Sequence, residues 1–118
     1  MEKELEISFH NVDHSPALEE AIRKKAAGLE RFFERIIACR VVVEAEQRRQ
    51  NKANYYAVHI DLHLPGREIV VNRSASKNHA HEDVYVVLRD AFNAAARQLE
   101  DHARKVRGDV KTHQPQTA

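Results

Sequence analysis

The chain has 118 residues, 42% of them hydrophobic, with 19 Lys and Arg against 18 Asp and Glu for a net charge of +1. That is enough to bury the core of one domain, and it excludes extended disorder. No run reaches the roughly 18 apolar residues of a membrane span, the Met1-Glu2-Lys3-Glu4 start lacks the order of a signal peptide, and the single Cys39 excludes internal disulfides and CxxC zinc or redox motifs, so a cytoplasmic protein is expected.

Leu5 to Phe9 alternates apolar and polar residues and predicts a half-buried strand. Ser15-Pro16 offers an N-cap followed by proline at the first helical position, and Leu18, Ala21, Ile22, Leu29, Phe32, Phe33 and Ile36 then predict a helix over about 16–35 with one apolar stripe. Gly28 weakens that helix by roughly 1 kcal/mol relative to alanine. The run Val41-Val42-Val43 predicts a strand over 39–46, and a polar, basic loop follows over 47–54. Tyr56, Val58, Ile60, Leu62 and Leu64 alternate with Tyr55, Ala57, His59, Asp61 and His63 in a third strand. Pro65-Gly66 turns it tightly into a fourth over 67–75. Val84, Leu88, Ala91, Phe92, Ala95, Leu99, Ala103 and Val106 share one face of a long helix that Gly108 is placed to end. Tyr85, one step off that face, is expected to pack.

The order β-α-β-β-β-α predicts an α+β two-layer sandwich. A four-stranded mixed sheet carries both helices on one face, and strands one and two are parallel through a right-handed crossover. Glu4, Glu6, Glu44, Glu46, Tyr55, His59, Asp61 and His63 are then expected on the open sheet face. One domain is expected over 1–108, with a disordered tail over 109–118.

The near-neutral total conceals segregation. Residues 1–20 carry one basic and six acidic residues, residues 21–81 twelve and six, and residues 82–118 six of each, giving −5, +6 and 0. At 100° per residue, Lys24, Gly28, Arg31 and Arg35 share one flank of the first helix. Arg89, Arg97, Arg104 and Arg107 fall within about 80° on the second, and Arg48, Arg49 and Lys52 make the intervening loop cationic. Arginine suits phosphate because its planar fork donates two hydrogen bonds at once. Two rims and a loop therefore point to a polyanion partner. His59 and His63 flank Asp61, and His79 and His81 precede the last helix, but residues four apart on a strand are separated by roughly 13 Å, too far to chelate. No metal or other cofactor is expected. No GxSxG, P-loop, HExxH or Rossmann glycine pattern is present, so no enzyme is expected, and Cys39 reads as a small buried residue.

Leu29-Glu30-Arg31-Phe32-Phe33, Leu64-Pro65-Gly66-Arg67-Glu68-Ile69-Val70, His81-Glu82-Asp83-Val84-Tyr85 and Arg97-Gln98-Leu99, in this order and spacing from about Leu5 to Arg107, resemble the ribosome hibernation-promoting factor and ribosome-associated inhibitor (protein Y) family. That family is also known as sigma-54 modulation or ribosomal subunit interface proteins. The resemblance implies the same element order, similar to double-stranded RNA-binding domains. It implies a translation inhibitor that binds the small ribosomal subunit and its 16S rRNA in the messenger and transfer RNA channel during stasis, as a monomer when free, with neither DNA nor a membrane as partner. The family's basic helix positions fall on Lys24, Lys25, Arg31, Arg89, Arg97, Arg104, Lys105 and Arg107. Gly28 stands where many relatives carry lysine, and the 48–52 loop is longer and more basic than in compact members. With about ten residues expected after the last helix, the C-terminal dimerisation domain of the long factors is not expected here. The alternatives are a protein-interaction module acting on sigma-54 and a general double-stranded RNA-binding module.

Overall fold

The computed structural model of the chain describes residues 4–47, 54–74 and 83–113. Strand β1 (Glu4–His10) leads through a bend, in which Asn11 takes a positive φ of 59°, into helix α1 (Pro16–Gly28). Asparagine tolerates this left-handed conformation better than most residues. Ser15 caps the helix with its Oγ, which accepts from the Leu18 amide at 3.2 Å, and Pro16 fills the first turn where no amide is needed. Glu19 in the same turn accepts from Arg23 at 2.8 Å and pairs with His14 at 2.6 Å, and these two partners, Arg23 first, hold its carboxyl below the usual range.

The helix is shorter than the apolar stripe suggests. It ends at Gly28 and tightens into a 3-10 turn over Leu29–Arg31, closed by the Phe32 amide on the Leu29 carbonyl at 3.0 Å. The crossover sets this length, because β1 and β2 (Ala38–Gln47) are parallel and the helix must carry the chain back along the strand. Thirteen helical residues cover about 20 Å and seven strand residues about 23 Å, whereas a helix to residue 35 would run about 30 Å and overshoot.

From β2 the chain forms an antiparallel meander with β3 (Asn54–Leu64) and β4 (Arg67–Ser74), and the sheet order is β1-β2-β3-β4. Pro65-Gly66 closes the β3–β4 hairpin with Gly66 at φ 74°, as a type II turn requires at its third position. Helix α2 (Val84–His113) starts at Asp83, whose carboxylate accepts from the Tyr85 amide at 2.8 Å. It runs through Gly108 rather than stopping there. Glycine in a helix interior costs only about 1 kcal/mol, and nothing in the next residues forces a turn.

α1 packs along β1 and α2 across β3 and β4, so both helices cover one sheet face. Ile22, Ile36, Val41, Val43, Ile60, Leu88 and Leu99 are fully buried between the layers, each contributing about 1.5–3 kcal/mol of apolar burial. The opposite face is open. Register aligns Glu6, Arg40, Asp61 and Val70 in one row, and Ser8, Val42, His59 and Asn72 in the next. Two expectations fail. Tyr55, on the open face by alternation, is only 9% exposed, and Tyr85, expected to pack, is 42% exposed in the first turn of α2. The 100° that separates Tyr85 from Val84 carries it off the packed face.

Candidate nucleic-acid interface

The early end of α1 decides the geometry of the basic side chains. Arg31 closes the 3-10 turn, and its guanidinium carbon lies 6.0 Å from the Phe32 ring centroid, within cation–π range. The turn abuts α2 beyond the end of the buried stripe at Leu99. Between them runs a groove lined by Arg31, Phe32, Glu100, Ala103, Arg104 and Arg107. A neighbouring hollow shares Arg31, Phe32, Ala103 and Arg107 and adds Phe33, Arg35 and Val106, together with Glu30 and Glu34. Ala103 makes the groove possible, since a larger residue there would fill the space between turn and helix. In the groove three guanidiniums face one carboxylate, and Asp101 outside it holds Arg104 at 2.9 Å. Among the described residues, no salt bridge engages Arg31, Arg35 or Arg107.

The structure thus brings Arg31, Arg35, Arg104 and Arg107 together and leaves the other basic candidates apart. Lys24, which wheel arithmetic over a longer helix groups with Arg31 and Arg35, lies on the outer face of α1, 79% exposed and 3.8 Å from Glu20. Lys25 is half-buried on the same helix. Arg89 shares its helical angle with Arg107, but eighteen residues place it about 27 Å away, and it contacts Asp90 at 3.3 Å. Arg97 is exposed about 20° round α2 from Arg104 but two turns before it, about 10 Å from the groove along the helix axis. Lys105 lies about 160° round α2 from Arg107, on the side of His102. Arg48, Arg49 and Lys52 lie outside the described residues, as do His79 and His81.

One residue that the apolar stripe places at the core, Phe32, packs against the core and also lines the groove. Phe32 and Phe33 are consecutive, so 100° separates them and both cannot sit at the centre of one stripe. That adjacency was the available signal. Phe33 packs edge-on to His102 at 5.1 Å, and Phe32 lines the groove. Arg67, at the start of β4, is a further cation near this end of α2 that the sequence reading did not single out.

On the open sheet face His59 donates from Nδ1 to Asn72 Oδ1 at 2.5 Å and pairs through Nε2 with Glu44 at 3.5 Å, while His63 pairs with Glu68 at 3.4 Å. Each histidine therefore has its own cross-strand partner. Among the described residues no three His, Cys, Asp or Glu side chains converge as metal ligands, and no helix is long and apolar enough to cross a membrane.

Similarity to known proteins follows the same extent of chain. The chain is 32% identical over 107 residues to the ribosome hibernation promoting factor of Salmonella typhimurium, covering 88% of this chain and 97% of that protein. It is 30% identical over 102 residues to the factor of the same name from Azotobacter vinelandii, covering 86% and 84%. Its backbone resembles a ribosomal subunit interface protein from Coxiella burnetii with a TM-score of 0.64 at 22% identity, over 85% of this chain and 97% of that one. The N-terminal domain of Thermus thermophilus Protein Y gives 0.64 at 18% identity, over 82% and 94%. These two likenesses concern the fold. The family model described as sigma 54 modulation protein / S30EA ribosomal protein matches residues 5–107, from the first strand to the arginines of the groove, and the chain belongs to that family.

Proposed function

We propose that the protein is a ribosome-associated hibernation factor that acts without catalysis in the cytoplasm. In this reading it binds the small subunit through 16S rRNA in the channel used by messenger and transfer RNA, and it does so as a monomer. The observation that carries the reading is the family match over residues 5–107, within which relatives are named ribosome hibernation promoting factor. Occupancy is a sufficient mechanism: a folded domain seated in a channel excludes other ligands without making or breaking a bond. Its arginines supply the hold. Arg31, Arg104 and Arg107 present forked donors along a groove, which suits phosphates on a shaped RNA surface more than a base sequence.

The test is co-sedimentation with purified small subunits over a salt series. Changing Arg31, Arg104 and Arg107 to Glu abolishes binding, whereas Lys24→Glu and Arg89→Glu, which lie away from the groove, weaken it less. Removing one phosphate contact lowers the log–log salt slope by roughly 0.7–0.9. Unchanged sedimentation of the triple variant sinks the site. Absence of the wild-type protein from ribosomal fractions of stationary cells, with binding to a purified sigma factor instead, sinks the function.

A further inference from the structure

We infer that the groove between the 3-10 turn and α2 is a seat for an unpaired RNA nucleotide, with Phe32 as the stacking platform for its base. The inference rests on the ribosomal RNA reading above and makes it more specific: the local target is single-stranded RNA, not duplex. Three observations combine. Phe32 is the aromatic side chain common to both hollows: it packs partly buried against the core and turns the rest of its surface to the groove wall. Around it Arg31, Arg104 and Arg107 offer donors for phosphates on either side, and Ala103 leaves the floor open. Finally, Arg31 stands over the ring with its guanidinium carbon 6.0 Å from the centroid.

Stacked planes lie about 3.4 Å apart, so a base held between Phe32 and a guanidinium needs about 7 Å between them. Arg31 is exposed, so its guanidinium can swing off the Phe32 ring to admit a base and then stack on the far side of it. A paired base cannot enter, because its faces are already covered by its neighbours in the helix. The arrangement thus combines the two components by which proteins hold single strands: an aromatic face that accepts any base, and cations that follow the backbone. Glu100, on the groove wall, is positioned to accept from an exocyclic amine or to repel a misplaced phosphate.

The experiment uses the full chain and a fluorescent single-stranded RNA of about eight nucleotides, of mixed sequence, within the usual span of a single-strand site. Fluorescence anisotropy is read for the wild type, Phe32→Leu and Phe32→Tyr. Leucine keeps the apolar volume and removes the ring, so affinity falls by about tenfold or more while the salt slope is unchanged, since no phosphate contact is lost. Tyrosine restores binding. The same RNA annealed into a duplex binds the wild type more weakly, and an abasic strand of equal charge behaves like the Phe32→Leu result. On the wild-type protein, NMR titration with the strand moves the Phe32 ring protons upfield. This readout holds even if Phe32→Leu does not fold. Affinity within twofold for Phe32→Leu, equal binding of strand and duplex, or unmoved ring protons would each overturn the inference. If any of these occurs while the wild type still co-sediments with small subunits, the ribosomal reading stands without the nucleotide seat. If co-sedimentation also fails, both fall.

Discussion

His102 lies edge-on to Phe33 with Arg67 and Lys105 nearby, and partial loss of water, followed by those two positive neighbours, holds its imidazole below the usual histidine range. The unfolded chain, free of that environment, takes up the proton first. Stability from the neutral ring is therefore complete above about pH 6.5, the ordinary value, and is lost as the pH falls from there through the folded value. Urea unfolding at pH 7.5 and 5.5 should show a lower midpoint at the acid pH, and His102→Gln should narrow the difference. Equal pH dependence of the two proteins counts against this role. Cys39 shows the opposite kind of consequence. Burial, with Asp61 adding to it, pushes its thiol up to about 12, and at 1% exposure it has neither the charge nor the access for chemistry. The sequence already indicated a silent thiol from the apolar strand that Cys39 opens. It gave no hint of His102, because beyond Lys105 on its own helix its surroundings come from β4 and from the segment after α1, both distant in sequence.

At the scale of elements, α1 is tuned by where it stops. Gly28 has a right-handed φ of −66° at its end, and a Cβ there would meet nothing within 4 Å. Gly28→Ala should therefore stabilise the protein by about 0.5–1 kcal/mol, through helix propensity and a less flexible unfolded chain, read as a higher denaturant midpoint with unchanged slope. A loss of stability would mean that the switch from α1 to the 3-10 turn requires glycine. The strands, their pairing and the Pro65-Gly66 hairpin were legible because period-two alternation and turn chemistry are local signals. The end of α1 was not. The apolar stripe continues through Phe32, Phe33 and Ile36, but the length of β1 limits the crossover, and strand length acts through tertiary structure. The same limit removes Arg35 from the helix and separates Lys24 from Arg31, so the cationic flank drawn on a wheel becomes a groove between two elements. At the other terminus, Gly108 was a stop signal in the sequence that α2 does not obey.

Across the whole molecule the charges divide by layer more than by stretch of chain. The helical side gathers the arginines of the groove, while the open sheet face shows Glu6, Glu44, Asp61 and Glu68 with Arg40 as the cation among them. This explains how a chain of net charge +1 can present one attractive side to a polyanion: the dipolar field orients an encounter without a large total charge to promote unselective binding. The parallel pairing of β1 with β2 also bears on time. Glu4 reaches Ala38 only after the intervening chain has folded back, whereas Leu64 and Arg67 meet across two residues. Long closures form late, and an edge strand held on one side is the first to let go. In native-state hydrogen exchange, the β1 amides paired with β2 should exchange faster than those of β3, which is held on both sides; the reverse order would contradict this. Because α1 follows β1 and carries the turn with Arg31 and Phe32 at its far end, each such opening also takes one wall of the groove with it. How long the groove stays assembled is then set by the seam between β1 and β2, which itself contributes no residue to the groove.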